Sequence, residues 1–431
     1  MARAKIVKTT GKARTGERSG NGSAGRRPAP PRPRPLADSV LRLVWRERRI
    51  SRADIARQAE LSRSTVSEIV GSFLPTGLVS EIGAGPSRGG RRPIVLEFQD
   101  GAACILGVEM GATHVAVALT DLRGRVLVWQ HRSHPVRSDP EGTRALIGEL
   151  CEACLAASPR SRERLVGVGV AVPCPVHPEL PDRLSEIVLP EWKGRSGLEE
   201  LSARYRVPLF VDNDANLGAL AEQWWGAGRG VDDFAYIKVA TGVGSGHVVG
   251  GKIYRGATGV AGEIGHISVV PGGLPCICGL RGCLATVVGS PALVQQARDL
   301  LKDAPDSTLR SAALDIDAIE NAALAGDPLA LRVTREAAEH LGIAVAEMLN
   351  LLNPSLVVLG GGLARLGELL VEPLRETVKS RTLVTSVAAT EIRTSDLGPR
   401  TVAIGAATRV LEEALANPSL FPGFQPKART A

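Results

Sequence analysis

Aromatic side chains and long apolar runs are both scarce in this sequence. Only 3% of its 431 residues are aromatic, so aliphatic residues must fill the core that a hydrophobic content of 44% predicts. No uninterrupted apolar run reaches the roughly 18 residues that a membrane-spanning helix needs, and we therefore expect no membrane partner. The basic N-terminus is not followed by an apolar stretch, so a secretory signal is not expected either.

Cysteine is sparse as well. The chain contains seven cysteines, an odd number for a long sequence. This count fits a reducing compartment better than a framework of disulfides. We therefore expect a cytoplasmic protein.

Basic charge is concentrated at the front of the chain. The formal net charge is +7, but residues 1–35 alone carry +9 and residues 36–98 carry +3, which leaves −5 for the remainder. A basic front end on a mildly acidic body indicates a polyanionic partner for the front alone. A solvated tail that only aids solubility fits the same charge equally well.

Composition and periodicity divide the chain into four parts. Residues 1–35 predict a disordered basic arm, because they are rich in Gly, Arg and Pro and bury too little apolar surface to fold. Residues 36–98 predict a compact unit of three helices and two strands. Residues 99–420 alternate strands and helices, which indicates an α/β body with two lobes. Residues 421–431 are expected to form a flexible tail.

The order of elements in residues 36–98 is that of a winged helix-turn-helix. The third predicted helix places Val66, Ile69, Val70 and Phe73 on one face. Its other face carries short or forked polar side chains that suit base edges and phosphates in a major groove, and the loop between the two strands adds arginines. We therefore expect double-stranded operator DNA as a partner, with a three-helix protein-docking module as the alternative. The residues predicted to contact DNA are Ser62, Arg63, Ser64, Thr65, Ser67, Arg88, Arg91 and Arg92.

Three thiols and one imidazole lie close together in the sequence. Cys276, Cys278 and Cys283 fall within eight residues, and His266 lies ten residues before the first of them. Three thiolates and an imidazole complete a tetrahedral set, which is typical of structural rather than catalytic zinc. A metal-free loop of reduced thiols is the alternative.

Four further segments each follow an apolar run that predicts a strand. They are residues 107–114, 212–216, 240–246 and 359–362. Three of them are rich in glycine, as in loops that approach a phosphate closely, and residues 212–216 read Asp-Asn-Asp-Ala-Asn. Taken alone, the Asp-Asn-Asp triplet also fits a capped turn from a strand into a helix.

The order of these segments, together with Glu263-Ile264-Gly265-His266 and the Cys-x-Cys-x4-Cys stretch, resembles the ROK family (repressor, open reading frame, kinase). The resemblance covers about residues 103–415. With the front unit added, the chain from about residue 36 resembles ROK transcriptional regulators of the xylose-repressor and N-acetylglucosamine-repressor kind. The resemblance implies a winged helix-turn-helix followed by a two-lobed actin-like or hexokinase-like (ribonuclease H-like) α/β domain.

The resemblance also implies a sugar-binding site. Asn213, Asp214 and Glu263 would form hydrogen bonds with the sugar. His266 would ligate zinc through one ring nitrogen and meet the sugar with the other. In a kinase, Asp214 would be the base that takes a proton from a sugar hydroxyl. Zinc would hold the loop that orients Glu263 and His266.

The sequence departs from the family's kinases in the loops that bind ATP. Glu109 stands where Asp is expected, Ala112 where Gly is expected and His114 where Lys is expected. Ala240 replaces the first Gly of the second loop, and Ala285 replaces a sugar-binding Glu. Because Ala112 adds a Cβ where the backbone must approach phosphate, these changes predict that the protein is not an enzyme.

We therefore expect a sequence-specific DNA-binding regulator that represses carbohydrate genes and binds a sugar or sugar phosphate effector. We expect a homodimer or a homotetramer, and a symmetric dimer would place two copies of the third helix in successive major grooves of a pseudo-palindromic operator. Two alternatives stay open: an active ATP-dependent sugar kinase with a DNA-binding head, and a regulator whose body binds a protein instead of a sugar.

Overall fold

The computed structural model describes residues 36–84, 93–311, 313–382 and 390–424. The predicted basic arm, residues 1–35, lies outside these ranges, and so do Arg88, Arg91 and Arg92. Within them, the helices are all too short or too polar to cross a bilayer.

The N-terminal unit consists of helices packed on a small antiparallel sheet. Its helices are α1 (Leu36–Glu47), α2 (Arg52–Gln58) and α3 (Arg63–Phe73), and its strands are β1 (Arg49–Ser51), β2 (Val79–Ala84) and β3 (Ile94–Phe98). Strand β3 lies between β1 and β2 and runs antiparallel to both. The sequence pattern did not predict β1, because three residues between two helices are too few to show a period of two.

Serine caps begin the second and third helices of this unit. The Ser51 hydroxyl accepts a hydrogen bond from the Asp54 N–H at 3.1 Å, and the Ser62 hydroxyl accepts one from the Thr65 N–H at 3.1 Å. Each cap of this kind stabilises a helix by about 1 kcal/mol. The buried residues of α3 are Val66, Val70 and Phe73.

The first lobe is built on a five-stranded mixed sheet. Its strands are β4 (Cys104–Met110), β5 (His114–Asp121), β6 (Val126–Ser133), β7 (Leu165–Val172) and β8 (Leu209–Asn213), and its helices are α4 (Pro140–Ala156) and α5 (Glu199–Tyr205). The strand order is β6-β5-β4-β7-β8, with β4, β7 and β8 parallel. The periodicity predicts that α4 begins near Arg144. It begins at Pro140 instead, because Asp139 accepts a hydrogen bond from the Gly142 N–H and caps the helix.

The second lobe repeats the strand order of the first, and two helices cross between the lobes. The strands of the second lobe are β9 (Phe234–Val239), β10 (Val243–Val249), β11 (Lys252–Tyr254), β12 (Leu356–Gly360) and β13 (Glu391–Thr394). The α-helices that follow β8 are α6 (Asp214–Trp225), α7 (Ala285–Val288), α8 (Ser290–Leu300), α9 (Ile316–Leu324), α10 (Pro328–Leu352), α11 (Glu368–Arg381) and α12 (Thr401–Ala416). The sheet order is β11-β10-β9-β12-β13, so each lobe carries three antiparallel strands followed by two parallel ones.

Helices α6 and α12 join the two lobes. Helix α6 leaves β8 of the first lobe and packs on β9 and β10, whereas α12 follows β13 of the second lobe and packs on β4 and β7. Gly107 and Gly169 permit the second contact, since a Cβ on them would lie 2.0 Å from Ala403 O and 1.9 Å from Ala406 O. Residue Gly107 therefore lies in a strand under α12, and its assignment to a phosphate-binding loop is wrong.

The N-terminal unit shares a hydrophobic core with α12 and the segment after it. Leu411 and Leu415 of α12 belong to the same buried cluster as the helices of the unit, and Phe421 is only 2% exposed. Phe424 stacks on Phe73, with ring centroids 5.4 Å apart. The prediction of a flexible tail is therefore wrong for residues 421–424, and residues 425–431 lie outside the described ranges.

Three of the five tryptophans meet where the N-terminal unit contacts both crossing helices. Trp45 of α1 donates a hydrogen bond from Nε1 to Leu122 O at 3.0 Å, and its ring centroid lies 5.3 Å from that of Trp224 in α6. Trp225 donates from Nε1 to Thr408 Oγ1 of α12 at 2.8 Å. We call Trp45, Trp224 and Trp225 the tryptophan junction.

Candidate functional site

Three charged side chains meet between the lobes. Lys238 Nζ donates hydrogen bonds to Glu109 Oε1 at 2.7 Å and to Asp214 Oδ2 at 2.8 Å. Glu109 and Lys238 are the penultimate residues of β4 and β9, and Asp214 is the first residue of α6. These residues, the Lys238 cluster, connect the first lobe, the second lobe and a crossing helix.

The charges of the Lys238 cluster stabilise one another. Burial opposes ionisation of Lys238, but the carboxylates of Asp214 and Glu109 outweigh it and raise the pKa of the ammonium above its ordinary value. Burial opposes ionisation of Glu109 too, but the ammonium and the contact with His114 lower its pKa to about 2. Two carboxyl groups thus share one ammonium group at the centre of the cluster.

A second ion pair connects the lobes beside this cluster. Arg255, which follows β11, donates to Asp212 Oδ2 from Nε at 3.0 Å and from Nη2 at 2.5 Å. Asp212 is buried near the end of β8. Neither Lys238 nor Arg255 was identified from the sequence. The sequence does contain one signal for Lys238, which is a lysine inside an otherwise apolar strand. A lysine buried in this way requires a partner of opposite charge.

Histidine side chains cover the first glycine-rich turn. The Gly111 N–H donates to His114 O at 2.9 Å and closes a tight turn between β4 and β5. A Cβ on Gly111 would lie 2.4 Å from the His114 ring, so that ring lies directly over the turn. His131 lies next to it, with ring centroids 5.1 Å apart, and burial followed by the charge of His114 lowers the pKa of His131.

The second glycine-rich segment forms a hairpin rather than an open loop. The Ala240 N–H donates to Gly242 O at 2.9 Å, and β10 begins at the next residue, Val243. Residues 243–246 therefore lie in a strand. The prediction of a loop over residues 240–246 holds only for the turn at its start.

Asn213 caps α6. Its Oδ1 accepts hydrogen bonds from the N–H groups of Ala215 and Asn216 at 2.9 and 3.1 Å, and its Nδ2 donates to Cys174 O at 3.2 Å. The amide also lies 3.3 Å from Asp214 Oδ1. The capped strand-to-helix turn, which was one of the two interpretations of this triplet, is present.

Glu263 and His266 lie on the segment that leads into the cysteines. His266 Nε2 is 3.7 Å from Glu263 Oε2. Burial, followed by the charge of Asp214, raises the pKa of Glu263 to about 7. Of the four residues assigned to sugar binding, Asp214, Glu263 and His266 thus lie around one cleft, while the amide of Asn213 is already engaged.

His266, Cys276, Cys278 and Cys283 form one candidate metal centre. Their ligand atoms all lie within 4.8 Å of one another. His266 Nδ1 is 3.4 Å from Cys276 Sγ, and Cys278 Sγ is 3.7 Å from Cys283 Sγ. Tetrahedral zinc places its nitrogen and sulfur ligands roughly 3.5 to 3.8 Å apart, so the donor set and its spacing fit this ion.

Most of the residues predicted to contact DNA lie on the surface at the start of α3. Arg63, Ser64 and Ser67 are exposed, and Thr65 is half-buried. Ser62 is exposed as well, although its hydroxyl is engaged in the helix cap. These five residues follow one another closely along the first turns of the helix.

Comparison with known proteins relates most of this chain to one family. The model of the ROK family matches residues 105–413. The xylose repressor of Caldicellulosiruptor bescii is 30% identical to this chain over 384 residues, which are 88% of this chain and 96% of the repressor.

Solved structures of the family share the two-lobed architecture. A ROK family transcriptional regulator, a homologue of the Escherichia coli MLC protein, aligns with a TM-score of 0.74 at 26% identity and covers 89% of this chain and 96% of its own. A ROK family glucokinase from Streptomyces griseus, in complex with glucose and AMPPNP, aligns with a TM-score of 0.63 at 30% identity and covers 71% of this chain and 99% of its own. The expected two-lobed actin-like α/β fold is confirmed, and the chain belongs to the ROK family.

Proposed function

We propose that this protein is a sugar-responsive transcriptional repressor of the cytoplasm. The observation that carries the proposal is the match to a xylose repressor over 96% of that protein's length, which extends beyond the region that the family model matches. The N-terminal unit would bind operator DNA as a winged helix-turn-helix, and the cleft between the lobes would bind the effector.

The surface of α3 supports DNA binding. Arg63, Ser64 and Ser67 are exposed on it, while Val66 and Val70 hold its other face in the core. An arginine at this position can read guanine, and the neighbouring hydroxyls can bind phosphates. In a symmetric homodimer or homotetramer, two copies of α3 would enter major grooves about 34 Å apart, which predicts a pseudo-palindromic operator.

The cleft supports binding of a sugar. Asp214, Glu263 and His266 offer carboxyl oxygens and a ring nitrogen from both sides of the cleft, and such groups suit hydroxyls that both donate and accept. We assign a structural zinc ion to His266 and the three cysteines. Because His266 Nδ1 faces the thiols, Nε2 remains towards Glu263, and zinc would hold both residues in place for the sugar.

The Lys238 cluster supports a role without catalysis. A kinase base must be able to accept a proton from the sugar hydroxyl, and phosphoryl transfer needs magnesium beside the phosphates. Here Asp214 is bonded to an ammonium group, and Glu109 is bonded to the same group. The alternative of an ATP-dependent sugar kinase is less well supported for this reason.

The tryptophan junction offers a route from the cleft to the DNA. An effector changes DNA affinity only if it binds two lobe arrangements with different affinity. Trp224 and Trp225 belong to α6, whose first residue is Asp214 in the cleft, and Trp45 belongs to the DNA-binding unit. Movement of α6 would therefore displace the DNA-binding unit and alter the spacing of the two α3 helices.

The proposal is tested by selecting DNA sites from a random library with the full-length protein. We expect a pseudo-palindromic site whose affinity changes at least tenfold with xylose, glucose or N-acetylglucosamine. Arg63→Ala should weaken specific binding by about 1–3 kcal/mol, whereas Arg332→Ala on the exposed surface of α10 should not.

Two results would contradict the proposal. The first is the absence of any sequence preference in the selected DNA. The second is sustained ADP release from ATP and one of these sugars that Asp214→Asn abolishes, since this result would establish the kinase alternative.

A further inference from the structure

The seven cysteines of this chain fall into two groups that differ in exposure. Four of them belong to the hydrophobic core of the first lobe, and each is 3% exposed or less: Cys104, Cys151, Cys154 and Cys174. Burial raises the pKa of all four thiols, to about 11 for Cys104 and Cys154 and to about 12 for Cys174. Because the thiolate is the form that reacts with oxidants, we expect these four thiols to be inert.

The other three cysteines are those of the candidate metal centre, and two of them lie near the surface. Cys276 and Cys278 are half-buried, whereas Cys283 is buried. Their neighbours Ile277 and Leu280 are 54% and 59% exposed. Cysteine binds zinc as the thiolate, so the candidate metal centre combines the reactive form of the side chain with access to solvent.

Cys283 is held in place by the backbone on either side of it. Gly282 O accepts hydrogen bonds from two N–H groups of the segment that precedes the cysteines, at 2.9 and 3.1 Å, and the Leu284 N–H donates to Ile267 O at 2.8 Å. A Cβ on Gly282 would lie 1.7 Å from Val270 O, so the two chain segments are in close contact there. Cys283 is therefore a fixed position in the candidate metal centre.

Cys278 lies on the exposed turn opposite this fixed position. Its Sγ is 3.7 Å from the Sγ of Cys283, and a disulfide would bring the two sulfurs to roughly 2.0 Å. The turn has room to make this movement, because a Cβ on Gly279 would meet no atom within 4 Å. Cys276 is directed to His266 instead, with its Sγ 3.4 Å from Nδ1.

We propose that Cys278 and Cys283 form a disulfide when the protein reacts with a hydroperoxide. The Cys278 thiolate attacks the O–O bond, takes one oxygen as a sulfenic acid and releases the other as an oxyanion. The Cys283 thiolate then attacks the sulfur of Cys278, forms the S–S bond and expels hydroxide. The two thiolates lose two electrons to the O–O bond, and two protons from the solvent convert the two oxyanions to water, or to water and an alcohol.

The disulfide would remove two of the four ligands of the candidate metal centre. Disulfide sulfurs carry no charge and do not replace thiolates, so only Cys276 and His266 would remain as ligands. We therefore expect oxidation to loosen the segment that carries Glu263 and His266 and to reduce the response to the effector. This consequence, unlike the disulfide itself, rests on the proposed function.

Peptide mapping of the full-length, zinc-loaded protein under non-reducing conditions tests the disulfide. Trypsin cleaves after Arg281, so Cys276 and Cys278 fall in the peptide of residues 256–281 and Cys283 falls in the peptide of residues 282–298. Hydrogen peroxide should join these two peptides, and dithiothreitol should separate them again. A chelating dye should detect one released zinc ion for each disulfide. Peptides that stay separate, or a bridge within residues 256–281, would overturn the proposal.

Two matched variants identify the partner of Cys283. Cys276→Ser and Cys278→Ser each remove one ligand of the candidate metal centre, but only Cys278→Ser should abolish the link between the two peptides. Cys104→Ser changes a thiol in the core of the first lobe and should leave the link and the zinc release unchanged. A link that survives in Cys278→Ser overturns the assignment. If these variants fail to fold, fragmentation of the joined peptides from the natural protein locates the bridge.

Operator binding by the same samples separates the modification from its consequence. Peroxide should reduce the change in operator affinity caused by xylose, glucose or N-acetylglucosamine to less than about threefold, and dithiothreitol with zinc sulfate should restore it. A disulfide that forms without altering this response overturns the regulatory consequence and leaves the modification site. If the untreated protein binds no operator, the proposed function fails, whereas the peptide map still decides whether the disulfide forms.

Discussion

Trp45 is the side chain whose removal should separate DNA binding from effector sensing. It lies in α1, donates a hydrogen bond to Leu122 O in the first lobe and packs against Trp224 of α6. The Arg123 guanidinium lies 4.3 Å from the centre of its ring. Replacement by alanine removes all of these contacts and leaves the exposed surface of α3 unchanged.

The expected loss of stability follows from the contacts. Truncation of a buried tryptophan to alanine costs about 3–5 kcal/mol, of which the hydrogen bond contributes about 1 kcal/mol and the cation–π contact about 0.5–1 kcal/mol. Trp45 is half-buried, so we expect a value of about 3 kcal/mol for Trp45→Ala. The N-terminal unit should remain folded, because Val40, Leu41 and Val44 of the same helix stay in its core.

Trp192 provides a matched control. It donates a hydrogen bond from Nε1 to Val136 O at 2.8 Å, and Arg144 lies 5.6 Å from its ring centre. It is buried in the core of the first lobe, in a cluster separate from that of the N-terminal unit. Trp192→Ala should therefore lose at least as much stability as Trp45→Ala without affecting the tryptophan junction.

The assay is fluorescence anisotropy of labelled operator DNA, with and without the effector sugar, at a temperature where both variants are folded. Allosteric effectors typically change affinity by about 5- to 150-fold, and Trp45→Ala should reduce this change to less than about threefold. Trp192→Ala should keep it. A full effector response in Trp45→Ala, equal to that of the natural protein, would refute the role of the junction.

Four further predictions concern stability. Lys238→Met removes the ammonium group that pairs with both Glu109 and Asp214, and it should lower the free energy of unfolding by about 3–5 kcal/mol in urea denaturation. Because the pKa of Glu109 falls from 4.5 to about 2, the stability that it contributes is fully present above pH 4.5 and should be lost as the pH falls towards 2, as acid titration of the same unfolding transition would show. A chelator that removes the proposed zinc ion, or Cys278→Ser, should lower the Tm of the lobes more than the Tm of the N-terminal unit in calorimetry, and equal losses in both would contradict the separation of the lobes from the N-terminal unit. Gly169→Ala places a Cβ 1.9 Å from a backbone oxygen of α12 and should destabilise by about 1–3 kcal/mol or more, whereas Gly71→Ala, where no atom lies within 4 Å, should not destabilise.

Local signals in the sequence predicted much of the architecture. The Ser51 and Ser62 hydroxyls each accept a hydrogen bond from a backbone N–H only three residues later. The starts of α2 and α3 can therefore be predicted from the local sequence. The four ligands of the candidate metal centre fall within eighteen consecutive residues. Because they lie in one segment, their grouping could be predicted from the sequence.

Contacts between distant segments could not be predicted in the same way. Glu109, Asp214 and Lys238 belong to three elements that meet only when both lobes are assembled. Gly107 illustrates the same limit, because the sequence alone does not show whether a phosphate or a helix approaches a glycine closely. The sequence also showed no sign that Phe421 would join the core of a unit that begins at Leu36.

The shared core of the N-terminal unit has a consequence for how the protein is made. Arg42 Nε donates to Leu415 O, a hydrogen bond between residues 373 positions apart. A ribosome therefore releases the N-terminal unit long before the helix that completes its hydrophobic interior has been translated. A product truncated before α12 would leave apolar surface of that unit open to water, so premature termination should yield chains that are degraded rather than stable N-terminal fragments.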